Sequence, residues 1–236
     1  MTLPKRITGW SELEARDREG LREIGTVVTI GVFDGLHRGH QRLLLAAFRL
    51  AAASGLERLH VGFDPHPDLL LHGSLPPRLL DDGEMALRLA SVGVGHVVNL
   101  PFDEAMRQTP WEEFMKRLVA GSGARSLVLS PESAFGRDRL GTLPLIRSWG
   151  GRRGLQVHPV AEARAGGTAI SSTRIRAAIA VGDLAGAAQM LGRPHAVTGR
   201  LSGTTLRLEG HPAGFALPPA GEYRLRLGRA ARAEGR

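Results

Sequence analysis

The 236-residue sequence contains no cysteine. A chain without cysteine forms no disulfide bond and offers no thiolate for catalysis or metal binding. This composition fits the reducing cytoplasm, where we expect the protein to act. The N-terminal residues contain no apolar run of signal-peptide length, and no stretch approaches the roughly 20 apolar residues of a membrane-spanning helix. We therefore expect no membrane partner.

Lysine and aromatic residues are also scarce. Lysine occurs only as Lys5 and Lys116, so arginine supplies almost all of the 31 basic residues and the net charge of +8. The planar guanidinium group donates paired hydrogen bonds to phosphate. The arginines are spread along the chain and are not interleaved with aromatic residues, which make up 5% of it. We therefore expect small-molecule partners, and no nucleic acid.

Short apolar strands alternate with amphipathic helices over most of the chain. Strands are predicted at 27–30, 59–63, 95–100, 126–129 and 155–160, and helices at 40–53, 84–92, 111–120 and 143–149. Residues 64–67 are predicted to be loop, because two prolines prevent regular strand pairing. This alternation is typical of an α/β fold, a Rossmann-like parallel sheet with helices on both faces. Ligands of such sheets bind at the carboxyl ends of the strands.

The pattern changes after Ile170. Consecutive helices are predicted at 171–180 and 184–191, and strands and turns follow from Val197. We place a boundary near Pro194. It separates a first domain, residues 1–193, from a small β-rich C-terminal segment, residues 194–236. The last eight residues, 229–236, are predicted to be a frayed basic tail.

A strand, a glycine-rich turn and a helix start define the first candidate site. Gly31 and Gly35 let the backbone approach a ligand without a Cβ in the way. His37 and His40 are three residues apart at the helix start, where both can face one point and donate hydrogen bonds to phosphate. Two other interpretations are a pair of surface histidines and a His-x-x-His metal pair.

A second helix start carries hydroxyl groups and arginines. Ser171 or Ser172 can cap the helix, which leaves free N–H groups near Arg174 and Arg176. By itself this pattern also fits an ordinary capped helix with exposed arginines. Together, two anion-binding helix starts favour a triphosphate site, because a nucleoside triphosphate needs a grip on its outer phosphates and a catalyst at its α-phosphate.

These two segments resemble the paired signatures of bacterial FAD synthetases, which are bifunctional riboflavin kinases and FMN adenylyltransferases. The signatures are residues 29–41, TIGVFDGLHRGHQ, and residues 170–176, ISSTRIR. The resemblance runs from about residue 26 to about residue 199 and includes the segments 63–67, 77–80, 100–104, 182–184 and 191–194. The ordered set resembles the flavin branch of the nucleotidyltransferases.

The resemblance implies that FMN attacks the α-phosphate of ATP, giving FAD and pyrophosphate. It implies that Mg²⁺ is carried by the ATP phosphates, and that the protein itself supplies no metal ligand. The implied catalytic residues are His37, His40 and Arg176. The implied ATP- and phosphate-binding residues are Gly31, Phe33, Asp34, Gly35, Ser171, Ser172, Thr173 and Arg174. The implied flavin- or acceptor-binding residues are Phe63, His66, Arg78, Glu132, Phe135 and Gly136.

Two segments depart from the family pattern. Members usually carry Val-Gly-x-Asp/Asn-Phe-x-Phe-Gly where residues 129–136 read LSPESAFG, so Glu132 replaces Asp or Asn and Ser133 replaces an aromatic residue. Losing an aromatic residue weakens a stacking surface for a flavin. The Gly-Phe-Pro-Thr-Ala-Asn motif of the family's kinase domain is absent from this sequence. The resemblance therefore implies a degenerate kinase remnant without kinase activity.

Three functions remain open at this point. The first is adenylyl transfer from ATP to FMN. The second is nucleotidyl transfer to a different phosphorylated acceptor or a flavin analogue, as the altered residues 129–136 suggest. The third is a non-catalytic protein that binds a nucleotide or a flavin.

Overall fold

The computed structural model describes residues 2–15, 20–208 and 214–228. Six strands form its central sheet, and all of their pairings are parallel. These strands are β1 (Lys5–Thr8), β2 (Thr26–Ile30), β3 (Glu57–Phe63), β4 (His96–Leu100), β5 (Ala124–Leu129) and β8 (Gln156–Pro159). Their order is β1-β4-β3-β2-β5-β8. The predicted Rossmann-like sheet is confirmed.

Six further strands form three two-stranded ribbons, β6–β7, β9–β10 and β11–β12. They are β6 (Ala134–Phe135), β7 (Gly141–Thr142), β9 (Arg164–Ala165), β10 (Thr168–Ala169), β11 (Gly199–Ser202) and β12 (Thr205–Leu208). The last pair is the predicted C-terminal β segment. The predicted tail at 229–236 lies outside the described residues.

The helices connect the strands and cover the sheet. They are α1 (Gly9–Glu14), α2 (Leu21–Ile24), α3 (Arg38–Ser54), α4 (Pro67–His72), α5 (Asp82–Ser91), α6 (Glu104–Gln108), α7 (Trp111–Ser122), α8 (Leu143–Gly151), α9 (Ser172–Ala180) and α10 (Leu184–Leu191). The expectation of loop through residue 67 needs a correction, because Pro67 is the first residue of α4. Proline fits there, since the first helical N–H has no partner within the helix.

Alternating side chains of the strands build a core on each face of the sheet. Val28 and Ile30 point into one core with residues of α1, α7 and α8, among them Phe114. Val27 points to the opposite face, against Ala47 of α3. The helices therefore cover both faces. This arrangement explains why the four inner strands are detectable as apolar runs.

Strand β1 was not predicted from the sequence. It reads Lys-Arg-Ile-Thr, and three of its four residues are exposed. It pairs with β4 alone and so forms one edge of the sheet. Edge strands are covered less than central ones, and they lack the continuous apolar pattern on which the other predictions rested.

The strand order determines where the first candidate site lies in the fold. Strands β3 and β4 lie on one side of β2, and β5 and β8 lie on the other. The connections therefore change direction next to β2. Because ligands of open α/β sheets bind beside such a reversal, the loop after β2 lies where a ligand is expected.

The C-terminal segment packs onto this fold. Phe215 forms a bridge with Arg78, and the Ala216 N–H donates to the Arg78 carbonyl at 2.9 Å. Nε2 of His195 lies 2.8 Å from the Ala216 carbonyl oxygen. Phe215 and Ala216 are buried. The boundary near Pro194 stays a prediction, and residues on its C-terminal side help to hold the loop that contains Arg78.

Candidate active site

The turn between β2 and α3 needs glycine at position 35. Gly35 has φ +79°, and a Cβ there would meet Leu79 Cδ1 at 2.9 Å. A side chain would therefore be strained and would clash with the core. The turn closes as a single 3₁₀ turn at Asp34–Leu36, and α3 begins directly afterwards.

His37 caps α3 with its own side chain. Its Nδ1 accepts hydrogen bonds from the backbone N–H groups of Gly39, at 3.1 Å, and His40, at 3.4 Å. Two accepted bonds require a lone pair on Nδ1, so the proton of the neutral ring lies on Nε2. Burial lowers the pKa of His37 to about 4, which keeps the ring neutral near pH 7. His37 is thereby held as a hydrogen-bond donor.

The His40 ring lies against the His37 ring. Their centroids are 3.6 Å apart and their planes differ by 19°. Nδ1 of His40 is buried without a hydrogen-bond partner among the described residues, and so Nε2 is its nitrogen open to a ligand. Burial, with smaller effects of His37 and His60, lowers the pKa of His40 well below 6.5. The predicted pairing of the two histidines thus takes the form of a stack.

The stack continues through two further rings. Phe33 lies 4.4 Å from His40 and 4.2 Å from His60, as measured between ring centroids. Nδ1 of His60 lies 3.1 Å from the Thr29 hydroxyl oxygen on the neighbouring strand. The four rings therefore form one continuous stack in the order His37, His40, Phe33 and His60. This packing holds the two candidate catalytic rings against strand β3, which contains His60.

His60 should make the fold sensitive to acid. Burial lowers its pKa from 6.5 to about 4, whereas the unfolded chain takes up this proton below about pH 6.5. Its stabilising contribution is complete above pH 6.5 and falls by about 3 kcal/mol as the pH drops to 4. Urea unfolding from pH 7 to pH 4 measures this loss. We expect a smaller loss in His60→Gln, and parallel profiles of the two proteins would contradict the assignment.

The second motif meets the first in space. The Ser171 hydroxyl oxygen caps α9 by accepting from the Arg174 N–H at 3.3 Å. The Ser172 hydroxyl donates to the Asp34 carbonyl oxygen at 3.0 Å. Thr173 is exposed in the first turn of α9. The fold therefore brings the start of α9 against the turn that precedes α3, through two residues that lie 138 positions apart along the chain.

Asp34 joins the two motifs through its carboxylate. One carboxylate oxygen forms a salt bridge with Arg176, and the other accepts from the Leu79 N–H at 3.1 Å. Nε of Arg176 donates to the Pro77 carbonyl at 2.7 Å. The Asp34 and Arg176 side chains are only 12% and 17% exposed. This partly buried pair connects the β2 turn, α9 and the 77–79 loop to one another.

Arg174 is engaged elsewhere. Its guanidinium group donates to the carbonyl oxygens of Thr168, Ala169 and Ala165. These bonds tie α9 to the β9–β10 ribbon. Arg174 therefore holds the β9–β10 ribbon against α9, whereas Arg176 contacts Asp34.

A cavity of about 300 Å³ opens beside the turn. Gly31, Phe33 and Asp34 line it on one side, and it extends over β3 and β4. The cavity thus begins at the ring stack and reaches across the sheet toward β1.

Three of the predicted acceptor-binding residues line this cavity, namely Phe63, His66 and Arg78. His66 caps α4 by accepting from the Asp68 N–H at 3.1 Å, and Arg78 forms a salt bridge with Asp82. Both side chains are thereby held at the cavity wall.

The other three predicted acceptor-binding residues lie elsewhere. Glu132, Phe135 and Gly136 are not among the residues that line the cavity. The Phe135 ring packs against Phe114 with centroids 5.9 Å apart, on the face of the sheet covered by α7. The cavity and residues 129–136 therefore form separate places in the fold.

The sequence patterns assigned no role to Arg6, His60 or Asn99, yet all three line the cavity. One signal was available for Asn99, because it is a polar residue inside the apolar strand His96–Leu100. Nothing in the local pattern around Arg6 indicated a site. Its place follows only from the pairing of β1 with β4.

Comparison with known proteins identifies the family. A family model described as FAD synthetase matches residues 21–174, which include the first motif and the first five residues of the second. The chain belongs to the FAD synthetase family. A bifunctional riboflavin kinase/FMN adenylyltransferase of Pseudomonas fluorescens is 34% identical over 178 residues, covering 75% of this chain and 57% of that protein. The chain therefore spans little more than half the length of this FAD synthetase relative.

Two further proteins are similar to this FAD synthetase family member. A putative bifunctional riboflavin kinase/FMN adenylyltransferase of Geobacillus thermodenitrificans is 34% identical over 75% of this chain and 94% of its own length. A solved structure of a Streptococcus pneumoniae protein named as a macrolide-efflux protein superposes with a TM-score of 0.70. It is 25% identical and covers 82% of this chain and 61% of its own. Among the described residues, no helix has the length and apolar character needed to cross a membrane.

Proposed function

We propose that this chain transfers the adenylyl group of ATP to FMN, giving FAD and pyrophosphate. A phosphate oxygen of FMN attacks the α-phosphorus of ATP, and the bond from that phosphorus to the oxygen of the β-phosphate breaks. The names of these two relatives, which include FMN adenylyltransferase, support this reaction. We also propose that the reaction takes place in the cytoplasm.

The observation that carries the proposal is the meeting of two helix starts around Asp34. Ser172 and Arg176 of α9 both contact Asp34 in the turn that leads to His37. Outer phosphates held at the start of α9, by Ser171, Ser172, Thr173 and Arg176, would leave the α-phosphate near the histidines. This geometry provides positioning and charge stabilisation, which are the main requirements of phosphoryl-type transfer.

The two histidines suit a charged transition state. Each Nε2 can donate a hydrogen bond, and the stack holds the two rings 3.6 Å apart. Gly31, Phe33 and Gly35 shape the turn that supports them. We propose that Mg²⁺ enters on the triphosphate, where it would neutralise charge on the departing pyrophosphate.

The direct test uses purified chain with ATP, Mg²⁺ and FMN, followed by chromatography of the flavins and an assay of pyrophosphate. We expect FAD and pyrophosphate in equal amounts. Absence of FAD, with ATP binding intact, would contradict the choice of acceptor.

A second candidate function is nucleotidyl transfer to another phosphorylated acceptor or a flavin analogue. The separation of Glu132 and Phe135 from the cavity favours it, because these positions match the family's flavin-pocket motif. Offering alternative phosphorylated acceptors and measuring pyrophosphate release would detect such a reaction.

We predict that this 236-residue chain does not phosphorylate riboflavin. The reason is that it lacks the Gly-Phe-Pro-Thr-Ala-Asn motif, and residues 199–208 form only a two-stranded ribbon. The measurement incubates the chain with ATP, Mg²⁺ and riboflavin and quantifies FMN against a sample without enzyme. ATP-dependent formation of FMN would show that the prediction is wrong.

A further inference from the structure

The floor of the cavity is built from two neighbouring strands in register. Gly62 of β3 pairs with Asn99 of β4, and His60 pairs with Val97. Residues two apart on a strand face the same side of a sheet. All four residues line the cavity. The cavity floor therefore carries the polar side chains of His60 and Asn99, and Gly62 beside them has no side chain.

Gly62 leaves an open space between those polar groups. A Cβ at this position would lie 3.4 Å from Oδ1 of Asn99 and 3.8 Å from Nε2 of His60. Both atoms therefore face the same small volume above the strand. Because β3 and β4 pair through their backbones, a flat group can lie on this floor without meeting another side chain at position 62.

Neither polar group is occupied within the described part of the chain. The Asn99 amide forms no hydrogen bond there, and the only hydrogen bond of the His60 ring joins its Nδ1 to Thr29. The contact with Thr29 and the stacked Phe33 ring fix the His60 plane, so its Nε2 stays directed at the cavity. His60 is buried and Asn99 is half-buried. Polar groups directed into a cavity without partners are typical of a site that recognises a ligand.

Part of the wall above the floor is apolar, and His66 and Arg78 form a polar part of it. The apolar part includes Phe33, Phe63, Met85, Leu89 and Pro76. A volume of about 300 Å³ lies at the small end of the range for ligand pockets, about 300–1,000 Å³. The cavity therefore suits one ring system, with the rest of the ligand extending along Asp34 toward the histidines.

We propose that Asn99 and His60 recognise the hydrogen-bonding edge of a planar heteroaromatic ring on the acceptor, and that Gly62 provides the space for that edge. This inference rests on the proposed function, and for FMN the edge is the dioxopyrimidine end of the flavin. An asparagine amide presents a donor beside an acceptor, which matches an imide N–H beside a carbonyl. Asn99 and Gly62 are specificity-determining residues in this assignment.

The test measures binding of FMN in the absence of ATP by quenching of flavin fluorescence. We expect Asn99→Leu to raise the FMN Kd by about fivefold to tenfold, the effect of one lost hydrogen bond. Gly62→Ala should raise it at least as much, because its methyl group fills the floor. The protein tolerates that methyl group, since the nearest atoms lie at ordinary contact distances. Gly151→Ala is the matched control, with no atom within 4 Å of the added Cβ.

A ligand variant tests the same contact without changing the protein. FMN methylated at the imide nitrogen should bind the unchanged chain about fivefold to tenfold more weakly than FMN. In Asn99→Leu this preference should disappear, an effect that a merely structural role of Asn99 would not produce.

The outcomes separate the inference from the proposed function. FMN binding that shows these effects, without FAD formation, would support the site and reject the reaction. FAD formation with an unchanged FMN Kd in both variants would support the reaction and overturn the site. A change confined to the KM for ATP would also overturn it, because the cavity would then hold the adenine ring. Failure of FMN to bind the unchanged chain would overturn the inference directly.

Discussion

Replacing His40 by alanine is expected to lower kcat for FAD formation by about 100-fold to 1,000-fold. His40 lies between His37 and Phe33 in the ring stack, and its open Nε2 is directed away from the buried Nδ1. Loss of the ring removes a donor held beside the reacting phosphate. A donor held in place by packing does not have to reorganise during the reaction, which is why its removal is costly.

The measurement is steady-state kinetics of FAD formation, together with ATP and FMN binding to the same variant. If the chain is a catalyst, kcat falls strongly while the Kd values change only modestly. His158→Ala is the control, since His158 lies in β8 at the edge of the sheet opposite β1. An unchanged kcat in His40→Ala would reject the catalytic role and favour a protein that only binds nucleotide or flavin.

The second large effect is expected from Asp34→Asn. This change leaves the partly buried Arg176 guanidinium without its charged partner, at a cost of about 2 kcal/mol in the free energy of unfolding. It also weakens the attachment of α9 and the 77–79 loop to the β2 turn, because Asp34 contacts both. FAD formation should therefore fall together with stability.

Urea unfolding, followed by circular dichroism, measures the stability change. The exposed pair of Glu104 and Arg107 offers a matched control, and Glu104→Gln should leave the unfolding midpoint almost unchanged. Adding Arg176→Met to Asp34→Asn should recover part of the lost stability, because the unpaired charge is removed. Equal midpoints for Asp34→Asn and the unchanged chain would show that the pair does not hold the motifs together.

The two chemical motifs and most of the sheet were predictable from local patterns. The apolar run Thr26–Ile30 indicates a buried strand, and the glycines before His37 indicate a tight turn. Both features depend on residues that are close in sequence, and so a local pattern is enough to predict them. Capping of α9 by Ser171 or Ser172 was predicted for the same reason, and Ser171 is the residue that caps it. The proposed assignments to ATP and to the acceptor remain predictions.

Other features depend on contacts that no local pattern encodes. The stack through His60 exists because β2 and β3 lie side by side, and the bond from Ser172 to Asp34 joins residues 138 positions apart. The exposed strand β1 brings Arg6 to the cavity through its pairing with β4. Such contacts are set by strand order and register, which the apolar pattern of a single strand does not specify.

The sequence by itself therefore determined the fold class, the family and the positions of the two candidate motifs, because these depend on short-range spacing of glycine, histidine and hydroxyl residues. Only the tertiary structure decided that Asp34 joins the motifs, that Arg174 holds a ribbon, and that His60, Gly62 and Asn99 share one cavity floor. The physical reason is that parallel pairing aligns residues far apart in the chain, and a cavity forms wherever their side chains leave space.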